Sequence, residues 1–206
     1  AAAAFHQWRE LTALRRGEYL LAIAEELGKR ADELAKLITM ENGKPLGQAA
    51  GEVAMSIDHL KWFAEESRRA YGRTVPNQAD GKRHIIISQP VGVVGAIAPW
   101  NFPLVLALRK VAPALAAGCP VILKPASATP LSAIELARCV ETARLPKGVF
   151  QVVVGQASEI ADEMLQYPKC RKISFTGSTE VGKKLIAGAA QTCTKLSLEL
   201  GGNAPL

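Results

Sequence analysis

From Val91 onward the chain alternates short apolar runs with stretches of helical length, and this rhythm limits its fold more than any other feature. The runs are VGVVGAIA, PVILK, VFQVVV, KISF and KLSLEL, with helices expected over 104–117, 131–143, 159–165 and 180–190. Strands separated by whole helices pair through crossovers rather than hairpins. The expected core is therefore α/β: a Rossmann-like parallel five-stranded sheet with flanking helices. Ahead of it, Leu20, Ile23, Ala24, Leu27, Ala31, Leu34 and Leu37 recur at three- and four-residue steps, predicting one amphipathic helix over 18–38. Val53, Ile57, Leu60 and Ala64 predict a second. Pro and Gly in TVPNQADGK break the helical pattern, and RHIIIS then reads as a short strand. The expected organisation is a helical segment over 1–81, a strand over 82–89, and a dinucleotide-binding core over 90–206.

In such sheets ligands sit outside the carboxyl ends of the strands. The residues to inspect are thus 99–103, 124–129, 155–158, 176–182 and 199–203. One of these loops contains FTGSTEVGKKL, in which Gly177, Gly182 and Lys183 match a nucleotide-triphosphate loop while Lys184 replaces its magnesium-binding Ser or Thr. That departure argues against ATP chemistry but leaves a helix start able to hold a phosphate. The first strand ends in APWNFP rather than in a glycine-rich fingerprint, and Gly92 and Gly95 alone carry little weight.

Charge excludes less than pattern does. The 25 Lys and Arg exceed the 19 Asp and Glu, but they are scattered among the acids with no basic stripe or interleaved aromatics, so nucleic acid is not an expected partner. No run is long enough for a membrane span or a signal peptide, which makes a soluble, cytoplasmic protein the default. Cys119, Cys139, Cys170 and Cys193 lack C-x-x-C spacing and a nearby His, so no metal site is expected and all four read as buried free thiols. The chain starts without Met and stops at GGNAPL, and reads as a piece of something longer.

PWNFP, KPAS-x-TP, FTGST-x-VG and LELGG, in this order, together with MENGKPLGQAAGEV and KWFAEE, resemble the aldehyde dehydrogenase superfamily over nearly the whole chain. Within it the chain looks most like the NADP-dependent succinate-semialdehyde branch. The resemblance implies oxidation of an aldehyde to an acid through a thiohemiacetal on a Cys, hydride passage to a nicotinamide, and hydrolysis by a water that a Glu activates. Asn101 matches the oxyanion donor, although Asn followed by Pro103 could instead cap the next helix. Glu199 matches the general base, at a strand end where it can be partly desolvated. Leu200 would offer its carbonyl to the carboxamide. Lys124 and Ser127 match the readers of the adenosine ribose. Where NAD-using relatives commonly carry Glu, Ser127 is neutral, which favours NADP while leaving NAD possible.

Gly177 and Ser178 would lie against the pyrophosphate, with Trp100 flanking it. Lys183 and Lys184 are then surface charges. Arg109, two helical turns beyond Asn101, matches the residue that grips a substrate carboxylate, or else is a surface or ion-paired Arg. None of the four thiols suits the nucleophile. Cys119 and Cys170 precede their strands, Cys139 lies inside a helix, and Cys193 shares strand parity with Glu199 at roughly 20 Å along extended chain. The family's nucleophile follows ELGG by a few tens of residues, so the chain alone is expected not to turn over. RHIIIS resembles part of the family's oligomerisation element, which implies a homo-oligomeric parent, a dimer or tetramer. The alternatives are a non-catalytic nucleotide-binding or interaction fragment, and another branch of the superfamily.

Overall fold

The structure is a computed structural model that describes residues 1–202; Asn203, the last residue of the expected rim, lies outside them. Helices α1 (Ala2–Glu10), α2 (Ala13–Lys29), α3 (Ala31–Asn42) and α4 (Leu46–Glu66) come first. A small antiparallel pair, β1 (Arg73–Val75) with β2 (His84–Ile86), follows. The α/β core then runs β3 (Val93–Ile97), α5 (Val105–Ala116), β4 (Val121–Lys124), α6 (Leu131–Thr142), β5 (Phe150–Val152), α7 (Ala157–Gln166), β6 (Cys170–Gly177), α8 (Thr179–Thr192) and β7 (Lys195–Leu200).

The five core strands are all parallel, in the order β5-β4-β3-β6-β7. The sheet grows outward from β3 in one direction, then returns to add β6 and β7 on its other side. Alternate residues separate the two layers. Val94, Ala96, Val121 and Leu123 join α5, α6 and the N-terminal helices in one core, which also holds Leu20, Leu27, Ile38 and Leu60. Ile97 and Ile122 point the other way, to the cluster formed by Ile173, Phe175 and Met164 with Leu185 of α8. Trp8 fixes α1 to this body by donating its indole N–H to the Leu115 carbonyl at 3.2 Å.

The expected parallel five-stranded sheet is present, and its helix bounds shift by a few residues. The single helix expected over 18–38 is instead α2 and α3, broken at Arg30, whose φ of −112° and ψ of 17° leave the helical region. The apolar spacing runs through that break without a change of phase, and Gly28, two residues ahead of it, is the one breaker nearby. Two elements were not delimited by the sequence pattern: α1, which begins in the run of alanines, and β1, a short and largely exposed strand that runs into the stretch expected to be irregular. The thiols need one correction. Cys119, Cys139 and Cys170 are buried, but Cys193 is exposed. It does not belong to β7 either, because it ends α8 in the left-handed conformation with φ 53°.

Leu123 is wholly buried at the centre of the sheet, whereas Leu14 on α2 is 55% exposed. Leu123→Ala should destabilise the chain by about 2–5 kcal/mol in urea unfolding. Leu14→Ala should stay within about 0.5 kcal/mol of wild type. Similar losses at both positions would contradict the layer assignment.

Candidate active site

The parallel strands bring their carboxyl ends to one rim. Ile97 pairs with Lys124 on one side and with Phe175 on the other, and Thr176 and Gly177 pair with Glu199 and Leu200. Along this rim stand Lys124 and Ser127 after β4, Trp100 and Asn101 after β3, Gly177 and Ser178 at the end of β6, and Glu199 and Leu200 at the end of β7. Neighbouring strands lie about 4.8 Å apart, so the three intervals from β4 to β7 span about 14 Å. The crevice between β3 and β6, where the direction of sheet growth reverses, is where this architecture takes ligands.

Asn101 and Trp100 are exposed on the loop between β3 and α5. Asn101 does not cap α5. The first amides of that helix are met from α4, because Glu52 Oε1 accepts from Leu104 N at 2.9 Å and Val105 N at 3.2 Å. Lys44 Nζ donates to Glu52 Oε2 at 2.5 Å and to the Asn101 carbonyl at 2.8 Å, and Asn42 Nδ2 donates to the Trp100 carbonyl at 2.8 Å. The following rim loop is held in the same way. Glu41 of α3 accepts from Leu131 N at 2.7 Å and Ser132 N at 3.0 Å at the start of α6.

Lys124 is buried along its stem, and burial lowers its pKa from the ordinary lysine value. Its ammonium has no hydrogen bond or ion pair to the protein among the described residues. Ser127 is exposed three residues further on. At α8, the Ser178 hydroxyl accepts from Val181 N at 3.3 Å and the Ser178 carbonyl from Gly182 N at 3.0 Å, which leaves the amides of Thr179 and Glu180 without a helical acceptor. Lys183 is exposed, and Lys184 pairs with Glu180 on the helix surface at 2.7 Å. An unpaired ammonium, free first-turn amides and a neutral hydroxyl at position 127 form a donor set that fits a dinucleotide.

Glu199 is exposed, so the desolvation expected for it is not supplied by the described residues. It is nonetheless oriented: Thr176 Oγ1 donates to Glu199 Oε2 at 2.9 Å, and Lys110 Nζ donates to Thr176 Oγ1 at 2.5 Å. Lys110, only 6% exposed, was not legible as a site residue. The signal for it lay in the helical phase of LVLALRKVAPAL, where Lys110 follows Leu106 and Ala107 on the buried face and so requires a polar partner. Its neighbour Arg109 is exposed, little more than one turn into α5, and makes no ion pair among the described residues. Together they border a groove of 570 Å³ with Val94, Lys172, Ser174 and Ser197. Of the thiols, none is at the rim. Cys119 and Cys170 lie at the amino ends of β4 and β6, Cys139 is buried in α6, and Cys193 precedes β7.

This fold is that of the aldehyde dehydrogenase family, to which the chain belongs: the family model matches residues 1–206. The chain is 52% identical over 198 residues to glutarate-semialdehyde dehydrogenase of Pseudomonas aeruginosa, covering 96% of this chain and 41% of that protein. It is 50% identical, with the same coverage, to the NADP(+) succinate-semialdehyde dehydrogenase GabD of Escherichia coli. A crystal structure of an E. coli NADP-dependent enzyme superposes with a TM-score of 0.98 at 49% identity, over 100% of this chain and 43% of that one. The chain therefore spans about two-fifths of the length of the curated relatives it matches.

Burial, opposed by Glu199 and reinforced by Arg109, lowers the Lys110 pKa from its ordinary 10.5. The folded state thus sheds this proton at a pH where the unfolded chain still binds it, so the side chain's contribution to stability rises with pH in the window just below 10.5. Lys110→Met removes that contribution. The urea midpoint of wild type relative to Lys110→Met should accordingly increase from neutral pH toward 10.5, and a pH-independent difference would count against the assignment.

Proposed function

We propose that the chain forms the cofactor-binding part of an enzyme that oxidises a carboxylate-bearing aldehyde, in the first instance succinate semialdehyde, to the corresponding acid. The observation that carries this reading is the convergence of Asn101, Lys124, Gly177 and Glu199 on one rim of the sheet, in a chain about half identical to two semialdehyde dehydrogenases.

The dinucleotide, when bound, supplies the hydride acceptor. Lys124 and Ser127 hold its ribose, and the absence of a carboxylate at position 127 favours NADP, with NAD still accepted. Gly177, Ser178 and the free amides at the start of α8 receive the pyrophosphate, with Trp100 along its flank. The Leu200 carbonyl meets the carboxamide. Asn101 donates its side-chain amide to the oxygen that gains negative charge when the aldehyde carbon is attacked, a contribution of about 3 kcal/mol in comparable sites. Glu199 takes a proton from the hydrolytic water, and Lys110 positions it through the Thr176 hydroxyl. Arg109 pairs with the substrate carboxylate at the far end of the aldehyde.

The nucleophilic thiol lies outside this chain, so the chain by itself binds dinucleotide without turning over. The antiparallel pair β1 and β2, with Ile85 of β2 and Ile87 just past its end exposed at 69% and 65%, contributes to the oligomerisation element of a homo-oligomer.

Two substitutions separate the roles. Ser127→Glu should weaken NADP binding roughly tenfold or more and leave NAD binding little changed, read by tryptophan fluorescence titration of the chain. Equal effects on both dinucleotides would refute the ribose assignment. In the complete polypeptide that carries this sequence, Arg109→Leu should cost about 2 kcal/mol, or roughly thirtyfold in kcat/KM, for succinate semialdehyde. An uncharged aldehyde should be spared; loss for both would remove Arg109 from the substrate site.

A further inference from the structure

Between Trp100 and Val105 the chain is held across the fold at four backbone points, all of them from the stretch 42–52. Asn42 holds the carbonyl of Trp100, Lys44 that of Asn101, and Glu52 the amides of Leu104 and Val105. Between these points Pro103 has a ring-fixed φ and no amide to satisfy. The Lys44–Glu52 pair is deeply buried, with side-chain exposures of 9% and 0%, and the Lys44 ammonium also lies 3.9 Å from the centre of the Phe102 ring. The Asn101 side chain makes no hydrogen bond among the described residues.

Helix stability alone does not account for this arrangement. A local Ser or Asp ahead of α5 would satisfy the same amides without burying a charge pair, and removing both ions from water carries a desolvation penalty that their attraction does not reliably offset. What the pair supplies and a local cap cannot is a link between the two sides of the loop. One carboxylate oxygen binds the helix start while the other holds the lysine, and the lysine in turn holds the carbonyl of the residue that bears the functional amide. With the backbone pinned on both sides, Asn101 keeps only its own side-chain rotations.

We propose that Lys44 and Glu52 are positioning residues that place the Asn101 amide for the oxyanion. The proposal rests on the reading of Asn101 given above. Rate enhancement by such a donor depends on its being pre-aimed, since a displacement of about 1 Å can cost about a hundredfold. The clamp therefore acts on turnover more than on dinucleotide affinity: of the residues assigned to the dinucleotide only Trp100 shares this loop, and its carbonyl is held by Asn42 rather than by Lys44 or Glu52.

Two measurements test it. In the present chain, Glu52→Ala should speed amide exchange at Leu104 and Val105 at least about tenfold by NMR; unchanged exchange would overturn the clamp itself. In the complete polypeptide, Glu52→Gln should lower kcat roughly tenfold with the KM for dinucleotide unchanged, and the same substitution should have no further effect in an Asn101→Ala background. Lys44→Arg, which keeps a donor and the charge, should retain most of the activity. Equal losses with and without Asn101 would overturn the positioning role. If Asn101→Ala leaves kcat intact, the oxyanion reading and this proposal both fall, whereas failure of the exchange or additivity test alone leaves the oxyanion reading standing. Should Glu52→Gln not fold, the neutral pair Lys44→Met with Glu52→Gln is used for the same cycle.

Discussion

Strand β3 is bonded on both sides by parallel neighbours, and its position between β4 and β6 decides where everything else goes. A parallel strand cannot be joined to its neighbour by a tight turn, so each addition to the sheet requires a helix on one face. When the chain returns from β5 to add β6, the direction of growth reverses and the helices change face. The loops after β3 and β6 then diverge at the carboxyl rim and leave a crevice. All the residues read here as oxyanion donor, phosphate holder and base follow from that single reversal.

The helices and strands of the core were legible because their periods differ and because β3 and β4 are buried on both sides, giving short unbroken apolar runs. The ligand rim was legible for the same reason, since a rule about parallel sheets maps it from strand ends alone. What was not legible depended on tertiary contacts. The break at Arg30 leaves the apolar phase of α2 and α3 continuous, so no periodicity marks it. Strand β1 pairs only with β2 and is exposed, so it leaves no alternation to read. Cys193 is exposed because α8 ends on it in a left-handed turn, a conformation more usual for Gly or Asn and not indicated by its neighbours.

At the site the same division holds. Gly177, Ser178, Lys124 and Glu199 stand out as candidates from their places at strand ends, whereas Lys110 and Glu52 do not, because each lies in the interior of a helix. Their roles come from what they reach across the fold: Thr176 and Glu199 in one case, the start of α5 in the other. A charged residue on the buried face of a helix is the one sequence mark they share. On the face of the sheet turned toward α5, Lys172, Ser174 and Thr176 alternate with the apolar residues of β6, and Lys195, Ser197 and Glu199 do the same on β7. Polar residues there let Lys110 meet a hydroxyl and a carboxylate where an apolar layer would have stranded its charge.

The caps supplied by Glu41 and Glu52 also bear on how the molecule assembles. They join residues 90 and 52 positions apart in the chain, so neither α5 nor α6 can complete its first turn from local sequence. Closing such loops costs entropy before any contact repays it. The rim loops after β3 and β4 are therefore ordered by the docking of α3 and α4, whereas α8 is capped locally by Ser178, and long-range closure of this kind places those two loops late in folding.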